Sequence, residues 1–236
     1  MTGIFRFVAR SAFVLAMACG AGFIWLNVTT VGAASLPPLK TGDIVFQDSG
    51  GGQGMAIMLA SRSVYTHVGL IELSPDGTPL VVEAVGPVRT VPLDQWIAKG
   101  TAHRITIKRI KGLSEPEAKN AVARAHTYDG YPYDIFFHDS RDAIYCSELV
   151  HAAYLESSGR VVGRVEKVRD LSIDNSAART LIEARWQNYP PCKVKGITTF
   201  DACFALILDQ TLVTPASLAR DPQMETIYTN FGVIGD

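Results

Sequence analysis

Apolar and polar positions change period several times along the chain, and each change marks an element. "DIVFQ", from Asp43, reads as a strand entered by a turn at Gly42, and "DSGGGQG" reads as the loop behind it. No Lys-Ser/Thr pair follows those glycines, so they enter a helix rather than cradle a phosphate. "MAIMLASRS" carries helical apolar spacing at Met55, Met58 and Leu59. "THVGLIEL" and "PLVVEAVG" read as two strands joined by "SPDGT", whose Asp-Gly tip suits a hairpin. "VPLDQWIAKG" reads as a short helix closed by Gly100, and "HRITIKRI" alternates as a further strand. Ser114 and Glu117 form a capping box; the helix they open runs to about Tyr128 and stops at Gly130. An aromatic loop, "GYPYDIFFHD", leads to a helix that starts at Cys146. Leu149, Val150, Ala153 and Tyr154 make its apolar face, and Gly159 ends it. Past residue 160, "SAARTLIEARW" reads as helix and "CFALILD" as a strand or buried turn. "TPASLARD" has a Thr cap with Pro at the first helical position.

Residues 1–34 stand apart. Arg6 and Arg10 precede an apolar run from Ser11 to about Val28, and "VGAAS" supplies small residues behind it. This is the pattern of a secretory signal peptide, with cleavage near Ala33 or Ala34. The alternative is an uncleaved anchor, since the run approaches the roughly 18 to 20 residues that cross a bilayer. A lipoprotein reading at Cys19 conflicts with the apolar run continuing beyond it. The expected location is exported, periplasmic or extracellular, or else anchored to the inner membrane facing the periplasm. Membrane contact is expected only if the segment is uncleaved. Residues 40–236 then form a single domain, with 160–236 as an extension packed on its core.

Composition narrows the classes. A 236-residue chain that is 47% hydrophobic can build a core without staples. A net charge of -1 leaves no electrostatic footprint for nucleic acid. Past Cys19 the cysteines are Cys146, Cys192 and Cys203, an odd number that leaves one thiol over in an exported protein. Cys192 and Cys203 flank the loop-like "KVKGITTFDA", and an oxidising compartment favours their disulfide. Cys146 is then the free thiol. With no C-x-x-C or H-x-x-x-H spacing, neither a metal nor an organic cofactor is implied.

A cysteine at a helix start is poised for a lowered pKa, and a nucleophilic one also needs an oriented base. His151 shares the helix and points elsewhere; His126 is mid-helix; His103 and His138 sit at an element edge and in a loop. His67 opens the strand "HVGLIEL", and Glu83 stands among apolar residues of the next strand. A turn centred on Asp76 and Gly77 sets His67 opposite Glu83. Taken singly, a packed cysteine, a structural histidine and a solvent-facing glutamate remain open readings. Taken together, the three favour a Cys-His-Glu site.

"GDIVFQ", "SVYTHVGLIE", "VVEAVGPV", "VPLDQWIAKG", "GYPYD" and "YCSELV", in that order, resemble the YiiX/YaeF type of permuted papain-like amidase in the NlpC-like superfamily. The likeness runs from Gly42 to about Tyr154 and continues weakly through "LVTPASLARDPQMETIY". It implies an α+β, circularly permuted papain-like fold: an antiparallel sheet packed against helices, with a C-terminal extension. Ordinary papain-like chains place the Cys helix before the His strand; here His67 and Glu83 precede Cys146, as the permutation requires. By the resemblance Cys146 is the nucleophile, His67 the base and Glu83 its orienting group. Tyr65 or Tyr145 would add a hydroxyl to an oxyanion hole, though both also suit the core, and Gln47 would line the site. The expected activity is cysteine-dependent cleavage of an amide in a peptide-like substrate, such as a cell-wall peptide. The alternatives are a lipid acyl hydrolase or acyltransferase using the same residues, and a non-catalytic binding module. Met55, Ile57, Met58 and Leu59 would line an acyl site or belong to the core.

Overall fold

The computed structural model describes residues 32–140 and 142–232; most of the expected leader, with Cys19, lies outside them. The chain runs β1 (Ile44–Gln47), α1 (Gly51–Ser61), β2 (His67–Leu73), β3 (Pro79–Ala84), β4 (Val88–Pro92), α2 (Leu93–Lys99) and β5 (Ile105–Ile110). It continues with α3 (Glu115–His126), α4 (Cys146–Ser158), β6 (Val165–Lys167), α5 (Ser176–Arg185), α6 (Pro190–Val194), α7 (Phe200–Asp209), β7 (Thr211–Val213), α8 (Pro215–Ala219) and β8 (Met224–Thr229). Six strands form one antiparallel sheet in the order β4-β3-β2-β1-β5-β8, while β6 and β7 pair separately. This is the α+β architecture of a permuted papain-like fold.

Alternation along the strands sorts the two faces of the sheet. Ile44, Phe46, Val68, Leu70, Val82 and Ala84 pack with Ala121, Ala125, Leu149 and Ala153 of α3 and α4. Val45, Ile71 and Val81 pack on the other face with Leu93, Trp96 and Ile97 of α2. The reciprocal Ser114–Glu117 box opens α3, and the Tyr154 hydroxyl ties α4 to the Gly42 carbonyl at 2.5 Å. Gly159, in the left-handed region at φ 70°, stops α4.

Three local expectations change. α1 starts at Gly51, inside the glycine loop, with Gly50 at φ 65° as its N-cap and no side-chain cap bond. The helix of "VPLDQWIAKG" starts at Leu93; its Val91 and Pro92 belong instead to β4, turned back on β3 through Val85, Gly86 and Pro87. "CFALILD" lies in helix α7, where Cys203 and Ile207 face a small core shared with α5 and α6. The β2–β3 register also differs: Leu70 lies opposite Val82, not opposite Leu80. A slip of two residues preserves the face of every side chain. His67 and Glu83 therefore meet as diagonal neighbours rather than directly opposite.

Gly69 makes the close strand approach possible. A Cβ there would lie 2.3 Å from Val81 Cγ1 and 3.2 Å from the Val82 carbonyl oxygen. Gly69→Ala is expected to cost about 1–3 kcal/mol of unfolding free energy by overpacking, read by chemical denaturation. An unchanged denaturation midpoint would show that β3 yields without strain.

Candidate active site

Helix α4 begins at Cys146, the one free cysteine among the described residues, and its first turn abuts the start of β2. The sulfur is almost fully buried, and the His67 ring, the Val68 backbone N–H and the Tyr133 hydroxyl face it as donors that favour its charged form. Burial works against ionisation of this thiol, but the three donors and the nearby imidazolium charge outweigh it, so its pKa falls below the ordinary thiol range. The His67 pKa moves the other way. Burial opposes its charged form, yet the bonds to Cys146 and Glu83 prevail and raise it from 6.5 to about 9. Both shifts run toward a thiolate–imidazolium pair.

The imidazole is held on three sides. Nε2 lies 2.8 Å from Glu83 Oε2, which leaves Nδ1 for the sulfur. The Trp96 ring stacks on it at 5.7 Å between centroids and 26° between planes. Glu83 is itself buried, and Arg89 Nε and Nη2 donate to its Oε1 at 3.0 and 2.9 Å. Burial pushes the Glu83 pKa up, but His67 and Arg89 more than offset it, and the carboxylate stays ionised. Arg89 is a residue the sequence reading missed. Its signal is the tight turn at Gly86-Pro87, which sets Arg89 directly opposite Glu83.

The other expected liners are placed differently. The Tyr65 hydroxyl lies 2.9 Å from Thr106 Oγ1, and its ring packs between Phe46 and Phe231. The Tyr145 hydroxyl accepts the Val213 N–H at 3.1 Å, while Ser147 donates to the Val213 carbonyl at 2.8 Å. Tyr145 thus stitches β7 to the head of α4. The hydroxyl that faces the sulfur is that of Tyr133, in the "GYPYD" loop. Burial and the Cys146 charge push its pKa well above 10, so it stays a proton donor. Its parallel bridge to Ile144 delivers it, a long-range contact with no spacing signature. Gln47 stands opposite His67 across β1–β2, buried, with its Oε1 lacking a hydrogen-bond partner. Cys192 and Cys203 form a disulfide with Cα atoms 5.7 Å apart.

Two spaces meet at the Cys-His pair. On the Cys146 side is an apolar cavity of about 130 Å³, walled by Ile57, Phe137, Ile173, Ile182, Ile207 and Leu212 among others. Most of these residues come from the C-terminal third. Of the α1 residues, Ile57 lines the cavity while Met55 and Leu59 are exposed. On the His67 side is a more polar cleft of about 400 Å³, where Gln47, Gln53, Thr66, Glu83, Arg89, Lys99 and Tyr133 share the lining with Ala84, Val85 and Ile135.

Comparison with known proteins places this arrangement. Residues 38–228 match the model of the permuted papain-like amidase enzymes, YaeF/YiiX, C92 family. The protein YiiX of Escherichia coli (strain K12) is 33% identical over 189 residues, covering 80% of this chain and 85% of YiiX. A crystal structure of the metalloprotein YiiX from Escherichia coli O157:H7 superimposes with a TM-score of 0.71 at 33% identity, covering 82% of this chain and 98% of that one. Among the described residues here, no group of three or more His, Cys, Asp or Glu side chains is arranged to hold a metal ion. A family match across most of the chain, joined to the same fold, makes this protein a member of the YaeF/YiiX permuted papain-like amidases, a family of cysteine hydrolases.

Proposed function

We propose that this protein hydrolyses an amide whose acyl half is apolar, through an acyl-enzyme on Cys146. The observation that carries this reading is the position of the Cys146–His67 pair between an apolar cavity and a polar cleft. The Cys146 thiolate attacks the carbonyl carbon, and a C–S bond forms. The oxyanion is received by the Cys146 backbone N–H at the helix start and by the Tyr133 hydroxyl. His67 gives its proton to the amine as the C–N bond breaks. Water then attacks the thioester, its proton passes to His67, and the C–S bond breaks to release the carboxylic acid. Glu83, fixed by Arg89, holds the ring throughout.

The cavity favours an apolar acyl group over the charged peptide of a cell wall. At about 130 Å³ it is close to the roughly 150 Å³ cavity that admits benzene, so it suits a short aliphatic or aromatic acyl group. Esters with the same acyl group are the second reading, since the cavity selects the acyl half and not the leaving atom. Export is part of the proposal, supported by the disulfide, which persists in oxidising compartments.

The test is an acyl series on one amine. With roughly 0.8 kcal/mol per buried methylene, kcat/KM is expected to rise about fourfold per added carbon from acetyl to hexanoyl. A flat series, or a preference for charged acyl groups, would falsify the apolar assignment. Tyr133→Phe is expected to lower kcat by about 10² with little change in KM, as for loss of one oxyanion donor. If kcat holds, Tyr133 only packs the site.

A further inference from the structure

We infer that the polar cleft on the His67 side is an anion-recognising subsite, so that the amine released from the substrate carries a carboxylate or phosphate. This rests on the proposed acylation of Cys146 and adds the chemistry of the leaving group. Arg89 spends Nε and Nη2 on Glu83, but 41% of its side chain remains exposed, and no described residue takes Nη1. Lys99, in the last turn of α2, is exposed, lines the same cleft and makes no ion pair among the described residues. The one carboxylate lining the cleft is Glu83, almost fully buried, with Oε2 committed to His67 and Oε1 to Arg89. Glu83 and Arg89 offset one another; Asp48, which does not line the cleft, accepts from the Gly50 N–H and the Thr66 hydroxyl; and Lys99 is left as the cleft's cation with no ion-pair partner among the described residues. The walls opposite supply neutral amides and hydroxyls from Gln47, Gln53 and Thr66. An arginine edge beside a lysine suits an oxyanion a few atoms beyond the scissile nitrogen. An amine bearing an acid group meets both needs: its nitrogen takes the proton of His67, and its anion reaches Lys99 and Arg89.

The experiment has two arms on the full chain. In the first, kcat/KM is measured for N-hexanoylglycine, N-hexanoylphosphoethanolamine and the neutral N-hexanoylglycinamide. The anionic substrates are expected to be preferred. Lys99→Gln is expected to cut that preference about threefold and Lys99→Glu about tenfold, with high salt acting in the same direction. The glycine and phosphoethanolamine substrates separate carboxylate from phosphate recognition. The second arm needs no substrate: the ratio of Cys146 alkylation rates by iodoacetate and by iodoacetamide is compared in the same proteins. The ratio is expected to fall from wild type to Lys99→Gln and further in Lys99→Glu. A ratio unmoved by both variants overturns the subsite, whatever the hydrolysis arm shows. If the ratio falls as expected while no acyl amide is cleaved, the anion subsite stands and the apolar acyl-amide reading fails instead.

Discussion

His67→Ala is expected to lower amide hydrolysis by about 10⁴ and to return the Cys146 thiol to ordinary reactivity. Both effects come from one contact. The bond and charge of His67 lead the forces that hold the sulfur ionised against its own burial. Without them burial dominates, and the thiol pKa rises to or above the free value of about 8.5. The pH dependence follows with a definite sign. The proposed mechanism needs Cys146 deprotonated and His67 protonated, so the expected wild-type profile is a bell. Its acid limb lies below the ordinary thiol range, because the Cys146 pKa is lowered. Its alkaline limb lies near pH 9, where His67 loses the proton that the leaving amine requires. In His67→Ala the alkaline limb disappears, and the iodoacetamide rate rises only above about pH 8. An alkylation profile identical in the two proteins would mean that Cys146 is not activated by His67. Glu83→Gln is the graded version: Arg89 keeps a partner oxygen, but the imidazolium loses its counter-charge, and the alkaline limb moves down.

Removing the disulfide by a double Cys192→Ser, Cys203→Ser change is the second large effect. For a loop of this length the bond contributes about 3 kcal/mol. Loss of that contribution corresponds to roughly 6–12 °C in melting temperature for a chain of this size. The consequence for function is selective. Val168, Ile173, Ala178 and Ile207 pack with Cys192 and Cys203 in the small core of the extension, and the same four residues wall the apolar cavity. Loosening that core loosens the acyl site but leaves the Cys146–His67–Glu83 contacts, which lie on the main sheet and α4. The expected outcome is a lower melting temperature and a flattened acyl-chain series, with Cys146 alkylation nearly unchanged. Wild-type protein under strong reductant should behave alike. If the chain-length preference survives the double change, the walls are held by packing alone.

Much of this was legible in the residues themselves. Strand alternation in "HVGLIEL" and "PLVVEA", the Asp-Gly turn between them, the Ser114–Glu117 box and the Gly159 stop are short-range codes, read within a few residues. An odd cysteine count and an easily closed loop sufficed to pair Cys192 with Cys203 and to isolate Cys146. His67 and Glu83 share a face in every register that differs by an even number of residues, so their meeting survived a two-residue slip. Tertiary structure decided the rest. "CFALILD" is too short and too uniformly apolar to choose between strand and helix by period; the shared core with α5 and α6 chooses helix. Tyr133, not Tyr65 or Tyr145, reaches the sulfur because a loop bridge at Ile144 carries it there. Arg89 depends on a hairpin that the neighbouring helix pattern obscured. The apolar cavity is built from α1 and from α5, α7 and β7, which follow it by more than a hundred residues. Local periodicity and turn chemistry act over a handful of bonds and leave their record in adjacent residues, whereas a cavity wall is a sum of distant packing choices that no short stretch encodes.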